Sequence, residues 1–183
     1  IQAYNSRGLA HRKARNYQKA IADYNQAIKI NPKYAEAVNN RGLAHYYLKD
    51  YQSAIADFNQ ALKINPRLAT AYSNRGLVYR NLQDYQKAIN DYDQAIKLDP
   101  KYDTAYNNRG NAYNYLKDYQ KAIVDFNQAI MLNPRNTNAY SNRGFVHTQL
   151  KDYQKAVADF TRVLEIDSQN SLAYYSRGYV YER

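Results

Sequence analysis

Six arginines in this chain each precede a glycine: Arg7, Arg41, Arg75, Arg109, Arg143 and Arg177. Fifteen residues beyond each of the first five glycines stands an aspartate: Asp23, Asp57, Asp91, Asp125 and Asp159. Guanidinium and carboxylate at one fixed spacing can form parallel charge-assisted hydrogen bonds. A charge at a packing register needs such a partner, because burying it alone is costly. The first chemistry on offer is thus a structural ladder of ion pairs, lying either within a unit or between units. The alternative is a row of arginines aimed at a ligand phosphate or carboxylate. Just ahead of the arginines come Asn40, Asn74, Asn108 and Asn142, with Ser6 and Ser176 in the end units. A carboxamide both donates and accepts, so a row of them can hold the backbone of an extended peptide whatever its side chains. The plain alternative is that amides are uncharged, soluble surface residues.

Other chemistries find little support. His11, His45 and His147 occupy one register that Tyr79, Tyr113 and Tyr181 fill elsewhere, which makes them aromatic fillers in or near a core. No serine nucleophile or metal-ligand set stands at a productive distance from them. Without cysteine there is no disulfide framework, thiolate site or cysteine nucleophile. Each glycine stands alone in a helical pattern, so no phosphate-cradling loop exists. The expectation is a non-enzymatic chain with no cofactor and no metal.

The elements that must position the arginines and asparagines follow from a period. Gly8, Gly42, Gly76, Gly110, Gly144 and Gly178 are spaced 34 residues apart. Such strict self-similarity marks stacked supersecondary units. Five units fill 1–34, 35–68, 69–102, 103–136 and 137–170, and 171–183 begins a sixth. Each unit carries helical spacing twice. In the third, Ala71, Tyr72, Arg75, Gly76 and Tyr79 mark one helix, and Tyr85, Ala88, Ile89, Tyr92, Ala95 and Ile96 the next. Asp50, Asp84, Asp118 and Asp152 stand where the second helix needs an N-cap acceptor, and Asn16 can serve likewise. Pro32, Pro66, Pro100 and Pro134 stop that helix. Glycine inside a helix costs about 1 kcal/mol against alanine. Six at one register predict close approach of a neighbouring helix, at Ala20, Ala54, Ala88, Ala122 and Ala156.

This pattern resembles the tetratricopeptide repeat over the whole chain. The family's aromatic four before the glycine is matched by Tyr4, Tyr72, Tyr106, Tyr140 and Tyr174, but not by Val38. Its later small residue, aromatic, small residue and proline appear in the second unit as Ala54, Phe58, Ala61 and Pro66. The fifth unit departs with Val163 and Ser168, and the invariant arginine replaces an aliphatic residue. The resemblance implies an all-α, right-handed superhelical solenoid of antiparallel helix–turn–helix repeats forming a single domain over 1–183. It also places the first helices along a concave groove. On that basis the groove residues are Asn5, Asn39, Asn40, Leu43, Tyr47, Asn74, Leu77, Arg80, Asn107, Asn108, Asn111, Tyr115, Asn142 and Phe145, with Arg12 and Lys13 further along the first helix. The lysine registers of the chaperone-tail clamp carry Asn, Ser, Gln, Glu and Thr here, so that ligand is not expected.

Charge raises one competing class. The net charge is +10 and there are 22 tyrosines, which could serve single-stranded RNA or DNA. Most of the unpaired basic residues fall in turns or on second helices, away from the groove, and Tyr17, Tyr51, Tyr85, Tyr119 and Tyr153 open packed second helices. A third class is architectural self-association through Tyr174, Tyr175, Tyr179 and Tyr181 in the partial sixth unit. No apolar run approaches the ~20 residues that span a membrane. The chain begins and ends in mid-pattern, so it reads as a segment of a larger protein. The residues do not fix its compartment, for which cytoplasmic is the first expectation, and the function expected is to hold a protein or extended peptide through an asparagine ladder.

Overall fold

The computed structural model describes all residues from Ile1 to Arg183 and is entirely helical. Five helix pairs and one further helix run in chain order: α1 (Gln2–Lys13) with α2 (Tyr17–Ile30), α3 (Ala35–Tyr47) with α4 (Tyr51–Ile64), and α5 (Ala69–Asn81) with α6 (Tyr85–Leu98). Then come α7 (Asp103–Tyr115) with α8 (Tyr119–Leu132), α9 (Thr137–Gln149) with α10 (Tyr153–Ile166), and α11 (Ser171–Tyr181). They form two compact units, Ile1–Asp99 and Pro100–Arg183. In the first unit α1, α3 and α5 lie side by side, as do α7 and α9 in the second.

The helices begin and end for local reasons. Asp50, Asp84 and Asp118 accept from the backbone N–H three residues on, at 3.1–3.3 Å. Asn16 and Asp152 also hold the N-cap position, but their side chains make no such bond. Asp152 instead faces Lys155 Nζ at 3.1 Å and His147 Nδ1 at 3.6 Å. Within each pair the turn is made by a left-handed residue that is not glycine: Arg15, Lys49, Gln83, Lys117 and Lys151 have φ of 61–64°. At this turn Asn16 N–H donates to His11 O and Arg15 N–H to Arg12 O, which satisfies the last carbonyls of α1. The second helices end before the prolines, as expected. The Asn31, Asn65 and Asn133 side chains then accept from the backbone N–H two residues later. Asp167 makes the same turn with Gln169 although Ser168 replaces proline, so the Asx turn suffices.

The core is built between repeats as much as within them. Ala20 and Tyr24 of α2 pack on Ala44 of α3, and Ala54 and Phe58 of α4 on Val78 of α5. In the second unit Ala122 and Phe126 meet Val146, and Ala156 and Phe160 meet Val180. The residue two beyond the glycine is the buried link to the preceding repeat.

The glycines face a different neighbour from the alanines expected. A Cβ on Gly76 would stand 2.8 Å from Tyr92 Cε1, and one on Gly110 2.8 Å from Phe126 Cε1. At each of the first five glycines the nearest atom belongs to an aromatic ring of the second helix: Tyr24, Phe58, Tyr92, Phe126 or Phe160. The helix is the expected one, but the ring lies against the glycine and sets the distance. Ala122 enters only through its carbonyl oxygen, 3.2 Å from the Gly110 position.

Candidate peptide-binding surface

The arginines pair within their own repeats. Arg41 grips Asp57 with Nε–Oδ2 at 3.0 Å and Nη2–Oδ1 at 2.5 Å, and Arg75, Arg109 and Arg143 do the same to Asp91, Asp125 and Asp159. The carboxylates are buried, and the arginine side chains of these four pairs are about one-fifth exposed. The guanidinium also joins repeats. The Nη1 atoms of Arg41, Arg75 and Arg143 donate to the side-chain oxygens of Asn25, Asn59 and Asn127 in the preceding second helix, at 2.7, 2.5 and 2.5 Å. Arg177 reaches Thr161 in the same way at 3.2 Å. These acceptors were missed, though their signal was in the period: each stands two residues after a ladder aspartate. The planar guanidinium further lies over the tyrosine three residues before it, with Arg75 5.6 Å from the Tyr72 ring centroid and Arg143 5.6 Å from that of Tyr140.

Solvent separates the first pair from the others. Arg7 holds Asp23 in the same fork but is 63% exposed. Its hydrogen bond holds the Asp23 carboxyl below the usual carboxylate range. At Asp91, under a covered arginine, burial outweighs the pull of Arg75 and pushes the carboxyl up. His11 and His45 point a ring nitrogen at Asp23 and Asp57 from 3.9 and 3.8 Å, so this aromatic register also lines the ladder. His147 is buried.

Among the asparagines, neighbouring registers interlock. Asn40 Nδ2 donates to Asn5 Oδ1 at 3.1 Å, Asn74 to Asn39 at 3.1 Å, and Asn142 to Asn107 at 2.9 Å. Asn39 and Asn107 are each only 7% exposed, serving as acceptors between first helices, and Ser73 at the same register is buried too. Asn5, Asn40, Asn74, Asn108 and Asn142 are half-buried, as are Leu43, Leu77, Arg80 and Asn111. Tyr47, Tyr115 and Phe145 are exposed at 46%, 61% and 37%. The Tyr47 ring stacks on Tyr17, with centroids 5.2 Å apart and planes 11° from parallel. The first helices of each unit can therefore offer fixed amides and apolar rings, and those of the first unit also the Arg80 cation. No helix is long and apolar enough to cross a membrane.

Tetratricopeptide repeat models match residues 5–69, 69–102, 104–136 and 137–170. The chain belongs to the tetratricopeptide repeat family. Its fold is the all-α solenoid of that family, a protein–protein interaction scaffold. No curated protein matches it in sequence. Among solved structures it is similar to pilF of Pseudomonas aeruginosa, with TM-score 0.90 and 18% identity over 99% of this chain and 82% of that one. It is similar also to TTC0263, a thermophilic tetratricopeptide repeat protein of Thermus thermophilus, with TM-score 0.82 and 18% identity over 100% and 99% of the two chains. YrrB, described as having an unusual peptide-binding site, matches with TM-score 0.72 and 18% identity over 96% of this chain and 90% of its own. At such identities these likenesses speak for the tetratricopeptide repeat fold.

Proposed function

We propose that the chain is a non-catalytic scaffold that holds an extended peptide against its first helices, with Asn40, Asn74, Asn108 and Asn142 gripping the peptide backbone. One observation carries the reading. Asn40, Asn74 and Asn142 each commit one amide N–H to the preceding repeat. That bond fixes the carboxamide and leaves its oxygen and second N–H free for a peptide group. Amides held in place before binding lose little rotamer freedom on binding, which lowers the cost of association. Exposed Tyr47 and Phe145 on the same helices offer apolar footholds beside them.

The test must separate ligand contact from repeat packing, since truncating these asparagines removes both. Peptide-display selection is run on the parent, on a ladder variant (Asn40→Ala, Asn74→Ala, Asn108→Ala, Asn142→Ala) and on a control (Asn5→Ala, Asn39→Ala, Asn107→Ala). Both variants lose the bonds between repeats, but only the first removes the amides assigned to the ligand. Peptides enriched on the parent should bind the control within a few-fold and the ladder variant at least ten-fold more weakly. Equal loss on both variants would make the amides structural only.

A further inference from the structure

An open cavity of about 460 Å³ lies in the first unit at the turn between α1 and α2, lined by Arg12, Lys13, Arg15, Tyr17 and Tyr47. Three cations thus meet two stacked rings. None of the three pairs with a carboxylate, whereas Lys87, Lys121 and Lys155, in the first turn of later second helices, each hold the aspartate at the N-cap of their helix. The Arg12 guanidinium sits at the buried Tyr24 hydroxyl, and neither its Nε atom nor that hydroxyl is bonded to any other group.

The cluster is particular to this repeat. The registers of Arg12, Lys13 and Arg15 carry Tyr46, Tyr47 and Lys49 in the second repeat, Arg80, Asn81 and Gln83 in the third, and Thr148, Gln149 and Lys151 in the fifth. Cations near a helix C-terminus are favoured by the helix dipole, which accounts for a basic residue here. It does not account for three cations lining one cavity with no carboxylate among them.

We propose that this cavity is an anion subsite of the peptide surface, taking the acidic side chains of a bound segment against Arg12, Lys13 and Arg15. An apolar residue beside them would lie on the Tyr17–Tyr47 stack. The assignment rests on the peptide-scaffold reading and names the ligand's charge. Charge complementarity selects the occupant: three cations with no carboxylate of their own attract anionic groups, and an arginine fork matches a carboxylate or a phosphoryl group.

Fluorescence anisotropy tests it with three labelled peptides: Asp-Glu-Phe-Glu-Asp, its amide counterpart Asn-Gln-Phe-Gln-Asn, and a version with phosphoserine for each acid. Each is titrated with the parent, with a triple variant (Arg12→Gln, Lys13→Gln, Arg15→Gln) and with the double variant Lys13→Gln, Arg15→Gln, which keeps the half-buried Arg12. Circular dichroism confirms that each variant is folded. The parent should bind one or both anionic peptides at least ten-fold more tightly than the amide peptide, and the triple variant should lose that preference. The double variant should lose part of it, so the idea stays testable if the triple variant does not fold. Equal binding of all three peptides by the parent, or an unchanged preference in the variants, overturns the subsite. Display-selected peptides that keep their affinity for the triple variant refute the subsite and leave the amide-gripped surface standing. Tight, variant-sensitive binding of single-stranded RNA without any binding of the anionic peptides overturns it in favour of nucleic acid.

Discussion

Arg75 closes on Asp91 from within one repeat, Nε to Oδ2 at 2.8 Å and Nη2 to Oδ1 at 2.6 Å, while its third nitrogen reaches back 2.5 Å to Asn59. One guanidinium therefore satisfies a buried carboxylate and ties two repeats together. Removing it strands Asp91 away from water, so Arg75→Ala should cost about 3–5 kcal/mol. Arg75→Lys should recover little, since an ammonium cannot make the planar fork. The exposed Arg7 should matter much less when truncated. Urea unfolding of the three variants measures this, and a loss at Arg75 no larger than that at Arg7 would sink the account.

The glycines offer a paired test within the second unit. An added Cβ at Gly110 meets the Phe126 ring at 2.8 Å, whereas one at Gly178 finds nothing within 4 Å. Gly110→Ala should destabilise by about 1–3 kcal/mol through overpacking. Gly178→Ala should stabilise by up to about 1 kcal/mol through helix propensity. Thermal melts of the two decide it, and the same sign for both would contradict the ring-on-glycine packing.

Histidine at a tyrosine register makes a pH dependence. Burial pulls the His147 pKa below that of an ordinary imidazole, and Arg143 and Lys155 act in the same direction against Asp159 and Asp152. The folded chain then binds the proton less readily than the unfolded chain. Stability present above about pH 6.5 is accordingly lost as pH falls through the range below it. His147→Tyr, the residue found at this register in the third and fourth repeats, should reduce the drop in melting temperature between pH 7.5 and 5.5. An undiminished drop in the variant would assign the acid sensitivity elsewhere.

Much of this was legible because each structural decision is repeated. The period located the helices, the Arg–Asp pairing and the turns after the second helices, since residues recurring at one register must share one environment. The spacing could not say which atoms meet. Asn39 and Asn40 look equivalent as letters, yet one is buried as an acceptor between helices and the other is only half-buried. Arg15 and Lys49 carry no mark of their left-handed backbone, a conformation that glycine or asparagine would have announced. The ring over each glycine was hidden because alanine and tyrosine of the second helix both fall on its inward stripe, and side-chain reach decides between them.

The side-chain bonds between helices of the first unit span 16 or 35 residues. Excising residues 35–68 would therefore hand Asn74 to Asn5, the Arg75 nitrogen to Asn25, and Val78 to Ala20 and Tyr24. Those partnerships would be re-formed between residues of the same or similar kind, although the Asn81–Tyr46 bond and the Tyr17–Tyr47 stack would be lost. As far as the ladder bonds go, the 34-residue segment is thus an interchangeable part: copies can be gained or lost by recombination between similar stretches with those bonds intact. On the proposed function, ligand length then becomes a matter of copy number, adjusted separately from the chemistry of any one copy.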